Sequence, residues 1–329
     1  MAVTPAKSSP AAAGTPSTLN NDAAYTELLP PSLLASVGRS ELLARMKKEG
    51  GISGRHASPH KGFSVEFAEH RQYAQGDDLR DLDWRVYGKL DKFYIKQYIE
   101  ETNLRATIIV DASGSMNYVG DEAAEFEGKK LSKFEYARYL AAALTYLLIR
   151  QQDAVGLVTF DHEIRKYIRA ASKPSQVRQI LEELHGTKPG EDTAAAEVFH
   201  DIAERINRRG LVIIISDLFD DGEKIKEALH HFQYRNHELV VFHVMAEEEL
   251  TFPFKKFTNF RNLEELSRNV KVDPLALKAQ YLDRVKSFID TIEKACGQMK
   301  ADYVPVNTKN QVADSLNAYL SRRREMTKI

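Results

Sequence analysis

Residues 106–116 read A-T-I-I-V-D-A-S-G-S-M, and this stretch decides the fold. Thr107, Ile108, Ile109 and Val110 are all β-branched and run straight into an acid, Asp111. The run leaves no polar face, so it suits a central strand of a parallel sheet covered on both sides. Such strands end in loops at the carboxyl edge of the sheet, where open α/β folds place their ligands. Ser113 and Ser115 alternate just beyond Asp111. One carboxylate and two hydroxyls form an oxygen-only set, the kind that hard Mg²⁺ accepts.

The pattern recurs down the chain. Residues 211–216 (L-V-I-I-I-S) are a second fully apolar strand, and it too ends in an acid, Asp217. Residues 154–160 and 238–244 read as buried strands, 164–168 and 302–306 as shorter ones. Helical spacing links them. Ser132 and Glu135 form a capping box for a helix to about residue 150, whose apolar positions include Phe134, Leu140, Leu144 and Leu148. Further helices are expected over 174–184, from Thr193 to 209, up to 234, over 274–299 and over 311–320. Strand and helix in alternation imply right-handed crossovers and a doubly wound, mainly parallel α/β sheet of Rossmann-like type. The expected division is a disordered tail (1–25), an N-terminal helix with a charged, irregular β-containing lobe (26–103), and the α/β domain (104–329) with an insertion at about 246–272.

Composition narrows the function. The 329 residues carry 46 basic and 47 acidic side chains and a net charge of −1, which argues against nucleic-acid binding by bulk charge. The single cysteine, Cys296, excludes a disulfide framework and a cysteine zinc cage within the chain. No apolar run approaches the ~20 residues of a membrane span, and the Ala-, Ser- and Pro-rich start has no secretory core. A cytoplasmic location is expected. There is no phosphate-loop or dinucleotide fingerprint and no H-E-x-x-H pair among the ten histidines. Ser113 and Ser115 lack a G-x-S-x-G elbow, so no catalytic residue is assigned. His230 and His231 are read as a solvated helix face, Trp84 as an anchor of the charged lobe on the sheet, Cys296 as a packed thiol, and Arg322 to Arg324 as a solvated helix end.

Asp111 and Asp217 should share one edge of the sheet, and Thr193 can reach it from a glycine-bearing loop. D-A-S-G-S at residues 111–115 resembles the D-x-S-x-S signature of the von Willebrand A domain. The likeness is stronger to one bacterial branch, the domain-of-unknown-function family 58. It is carried by residues 62–73 (G-F-S-V-E-F-A-E-H-R-Q-Y), 76–84 (G-D-D-L-R-D-L-D-W), 96–105 (K-Q-Y-I-E-E-T-N-L-R), 152–160 (Q-D-A-V-G-L-V-T-F) and 208–218 (R-R-G-L-V-I-I-I-S-D-L). The resemblance implies a metal-ion-dependent adhesion site of Asp111, Ser113, Ser115, Thr193 and Asp217, holding Mg²⁺ with Mn²⁺ as the alternative. Relatives commonly carry T-D or T-S where this chain has Thr193-Ala194, so Asp192 is the other candidate at that register.

Serine and threonine are neutral ligands, so an ion held mainly by them stays electrophilic and favours a carboxylate from outside. That implies a non-enzymatic docking module rather than a storage site. The resemblance further implies a MoxR-type AAA+ ATPase and client proteins as partners, in chaperone-like complex assembly or metal-cofactor insertion. The alternative is a metal-dependent hydrolase using the same ion, with Asp192 or Glu191 as the local base.

Overall fold

The computed structural model describes residues 21–38, 40, 42, 65–74, 82–100, 104–190, 195–254, 258–261, 269–272 and 274–327. Helices α1 (Asn21–Leu28) and α2 (Pro31–Val37) come first. A hairpin of β1 (Val65–Gln72) and β2 (Tyr94–Glu100) follows, with α3 (Trp84–Leu90) between its strands. Then β3 (Arg105–Asp111) enters the main sheet, and a 3₁₀ turn at Gly114–Asn117 leads to the small hairpin β4 (Glu125–Phe126) and β5 (Lys129–Lys130). The alternation continues through α4 (Lys133–Arg150), β6 (Ala154–Phe160), β7 (Ile164–Ala171), α5 (Ser175–Gly186), α6 (Ala195–Arg205), β8 (Leu211–Ser216), α7 (Gly222–Tyr234) and β9 (Glu238–Met245). Helix α8 (Glu247–Thr251) and a hairpin of β10 (Thr258–Arg261) and β11 (Asn269–Val272) precede α9 (Pro274–Gln298), β12 (Asp302–Asn307) and α10 (Val312–Thr327).

The six-stranded sheet runs β12-β9-β8-β3-β6-β7 and is parallel except at its edge, where β7 is antiparallel to β6. Helices cover both faces, giving the mainly parallel doubly wound α/β architecture expected from the sequence. β3, β6 and β8 are nearly wholly buried because both faces are covered. One core packs α4, α5 and α10 on the sheet through Leu140, Leu144, Leu181 and Leu316. The other packs α6, α7 and α9 through Phe199, Phe232 and Ile292.

Four expectations are corrected. Residues 21–25 are not tail but part of α1, because Ala24 and Leu28, with Leu29, Leu33 and Val37, bury an apolar row in the core that contains α4 and α5. Each fully buried leucine there contributes about 2 kcal/mol of burial free energy. Trp84 anchors nothing on the sheet: it is 64 % exposed and meets only Tyr87 edge-on among the described rings. Arg323 is not solvated but 1 % exposed, donating to Asp302 and pairing with Glu238. His231 does not lie on a bare solvated face, since its Nδ1 is 3.1 Å from that of His200 on α6. Cys296 is a buried free thiol, as expected, with burial pushing its pKa up to about 12. The remainder of the expected tail, and most of the charged lobe over 39–64 and 75–81, lie outside the described residues.

Candidate adhesion-type site at the carboxyl edge

β3 and β8 are hydrogen-bonded neighbours in parallel register, Val110 opposite Ile215. Their carboxyl ends therefore deliver Asp111 and Asp217 to the same edge. Both side chains are buried, Asp111 completely and Asp217 to within 7 % exposure. The Ser113 N–H donates to Asp111 Oδ1 at 2.9 Å, which curls the loop after β3 back over its own carboxylate. Ser113 Oγ and Ser115 Oγ are 3.1 Å apart. The Ser115 hydroxyl reaches Asp217, and the Ser216 hydroxyl donates to Asp111 Oδ2 at 2.5 Å. Two carboxylates and three hydroxyls from two distant segments thus converge on one spot.

Asp192 and Thr193 lie outside the described residues. On the near side of them, the Gly190 N–H donates to the Ala112 carbonyl at 2.6 Å. On the far side, the Ala196 N–H donates to Asp220 Oδ2 at 3.1 Å. Both flanks are therefore tied to the two loops that carry the site.

Charge explains the rest of the construction. Burial, and then the neighbouring Asp217 charge, push the Asp111 carboxyl up from 3.8 to about 7. Asp217 goes the other way: burial would raise it, but the Lys133 ammonium outweighs that and holds it below the usual carboxylate range. Lys133 Nζ donates to Asp217 Oδ2 at 2.6 Å and to Glu249 Oε1 at 2.7 Å, and the side chain is 2 % exposed. Burial alone would lower its pKa; its two acid partners more than offset this and keep it charged. Three carboxylates thus face one ammonium, which leaves two negative charges when all are ionised. A buried carboxyl next to a second carboxylate, beside hydroxyls that can ligate, suits a divalent cation.

Sequence reading missed Lys133, Ser216, Glu249 and His243. Lys133 stands at the first position of α4, where the helix dipole disfavours a cation, and that misfit was the available signal. His243 carried none. Its Nε2 is 3.0 Å from the Asp217 carbonyl and its Nδ1 is 2.7 Å from the Tyr303 hydroxyl. A carbonyl only accepts, so Nε2 carries the hydrogen and Tyr303 donates to Nδ1. Burial lowers the ring's pKa to about 4, which keeps it neutral in this role. Its hydrogen bond pins the backbone of Asp217. The next residue, Leu218, is buried yet held at φ 53°, a left-handed conformation that costs a β-carbon residue of order 1–3 kcal/mol.

Each of the two loops that carry the site exposes one large apolar side chain. Val119 on one loop is 47 % exposed and Phe219 on the other is 62 % exposed. Among the described residues, no group of three or more His, Cys, Asp or Glu side chains is arranged to hold a metal; the donors here are two carboxylates and hydroxyls.

The model of the family described as "protein of unknown function DUF58" matches residues 69–286, well over half of the chain. An uncharacterized protein of Mycobacterium tuberculosis is 25% identical over 303 residues, covering 89% of this chain and 91% of that relative. An uncharacterized protein of Mycobacterium bovis matches to the same extent, 25% identical over 303 residues. Among solved structures, the conserved hypothetical protein BatB of Bacteroides thetaiotaomicron is 17% identical with a TM-score of 0.41, covering 68% of this chain and 100% of its own. An aerotolerance-related membrane protein from Bacteroides fragilis is 14% identical with a TM-score of 0.40, covering 67% of this chain and 100% of its own. No helix among the described residues is long and apolar enough to cross a membrane.

Proposed function

The chain belongs to the DUF58 family, and from that premise and the oxygen-lined edge we propose that it is a non-enzymatic docking module with a Mg²⁺-dependent adhesion-type site. The observation that carries the reading is Asp111. It is wholly buried, beside a second carboxylate and two hydroxyls able to ligate, and burial and the Asp217 charge push its pKa up to about 7. Asp111, Ser113 and Ser115 would hold Mg²⁺ or Mn²⁺ directly. Asp217 would support it from the other loop, and Thr193 or Asp192 would complete the set. The ion, when bound, supplies a Lewis-acidic attraction for a carboxylate.

The protein's own groups fit a grip rather than a reaction. Lys133 neutralises Asp217 in part, so the site keeps less negative charge to repel an incoming acid. Val119 and Phe219 give that partner an apolar rim to bury beside the charged contact. His243, the imidazole next to Asp217, has both nitrogens engaged and stays neutral, so it does not serve as a general base.

The partner class follows from the family likeness: a MoxR-type AAA+ ATPase that presents an Asp or Glu, with this chain as its adapter toward client proteins in complex assembly or metal-cofactor insertion. A pull-down of a co-encoded ATPase by the full chain tests it. Capture should require Mg²⁺, be abolished by EDTA, and be lost in Asp111→Ala. Capture that is indifferent to both would overturn the proposal, as would metal-dependent phosphatase or esterase activity that Asp111→Ala removes.

A further inference from the structure

A second concavity lies at the opposite, amino-terminal edge of the sheet, with a volume of about 570 Å³. β3 starts there at Arg105, and Arg169 stands near the end of antiparallel β7. Arg205 closes α6, Arg208 lies in the loop after it, and His237 immediately precedes β9. Arg105 and Asp111 stand at the two ends of the seven-residue strand β3, roughly 20 Å apart at the rise of a strand. The two sites share no residue.

Four guanidinium groups and an imidazole line the cleft, and among the described residues no acid lines it. No described carboxylate pairs with Arg105, Arg169, Arg205 or Arg208 either. In a chain whose charges balance almost to zero, that is a local excess of one sign. The simplest structural reading accounts for one of the four: Arg205 sits in the last turn of α6, where the helix dipole welcomes a cation. Arg105 and Arg169 come from strands β3 and β7, and Arg208 lies in the loop beyond the end of α6. Gathering like charges in a concave cleft costs free energy that an anion would relieve. His237 adds a second observation. It is 7 % exposed, and neither ring nitrogen closes a hydrogen bond of normal geometry, although the carbonyls of Ile206 and Gly210 face the ring. Tyr167 also lines the cleft, within electrostatic reach of Arg169 and Arg205.

We propose that this cleft binds a small phosphoryl-bearing molecule, a diphosphate or a nucleoside diphosphate, through Arg105, Arg169, Arg205 and Arg208. Planar guanidinium forks match phosphoryl oxygens two at a time, as lysine would not. The volume lies within the ~300–1,000 Å³ range of small-molecule sites and exceeds what a single phosphate needs. The site is independent of the carboxyl-edge docking site, so it stands or falls separately.

Calorimetry on the full chain, with pyrophosphate and ADP as the two probes, tests the assignment. Saturable one-to-one binding of either supports it, and the stronger of the two tells whether phosphoryl groups alone or an attached nucleoside is preferred. Each arginine removed should weaken binding about ten-fold, so R169Q/R205Q should lose about a hundred-fold while Asp111→Ala binds as wild type. Both arginines are exposed, and an unchanged melting temperature shows that the double variant still folds. Failure of both probes to bind would overturn the proposal, as would undiminished binding by R169Q/R205Q. So would capture of an RNA oligomer or an acidic peptide by these arginines with no binding of either probe.

Discussion

Asp111 carries the sharpest consequence at the scale of single residues. In the folded protein its carboxyl is raised from 3.8 to about 7 by burial and by Asp217. The folded state therefore holds a proton that the unfolded chain releases near pH 4. The stability this contributes is complete below about pH 4 and is lost as pH rises through about 7 in metal-free protein. Urea melts across that range should show stability falling with pH. Asp111→Asn, which cannot ionise, should flatten the slope, and Mg²⁺ should reverse it in wild type alone. Lys133 makes the complementary case. Lys133→Ala leaves Asp217 and Glu249 without their buried cation, so it should cost about 3–5 kcal/mol by denaturant titration. The convergence of Asp111 and Asp217 on one edge, with Ser113 and Ser115 beside them, was legible because each acid ends an apolar run. Lys133 and His243 were not, because their role depends on which helix and which strand end beside Asp217, and spacing along the chain does not tell that.

At the scale of elements, the central strands were the most legible part, since burial on both faces demands uninterrupted β-branched runs. The edge was less so. β7 carries alternating exposure and turns antiparallel, which depends on a short connection after β6 rather than on composition. Its close approach to β6 rests on Gly156. A β-carbon there would lie 2.6 Å from the Ile168 carbonyl oxygen and 2.8 Å from the Ala170 nitrogen, both backbone atoms. Gly156→Ala should therefore push β7 outward at the register shift beside it and cost about 1–3 kcal/mol. Faster amide exchange confined to β7 and the adjoining part of β6 is the expected signature, and an unchanged exchange pattern would contradict it. Helix α1 escaped sequence reading because the tail before it is low in complexity, whereas α2 is the expected N-terminal helix. The apolar residues of α1 gain meaning only once they join the core that contains α4 and α5.

At the scale of the whole molecule, one sheet separates two differently charged ends. The carboxyl edge concentrates acids around hydroxyls and Lys133. The amino-terminal edge gathers arginines with no described acid among them. Net charge, −1 over the chain, conceals this polarity. The central claim is that the carboxyl edge binds a divalent cation through residues that the fold unites from distant segments. Calorimetric titration of Mg²⁺ into metal-stripped full chain at pH 8, where Asp111 is ionised, tests it most directly. The account predicts a saturable one-site isotherm in wild type, weakened at least a hundred-fold in both Asp111→Asn and Ser113→Ala with melting temperatures showing both variants folded. An isotherm of the same affinity in those variants, or none in wild type, would contradict it.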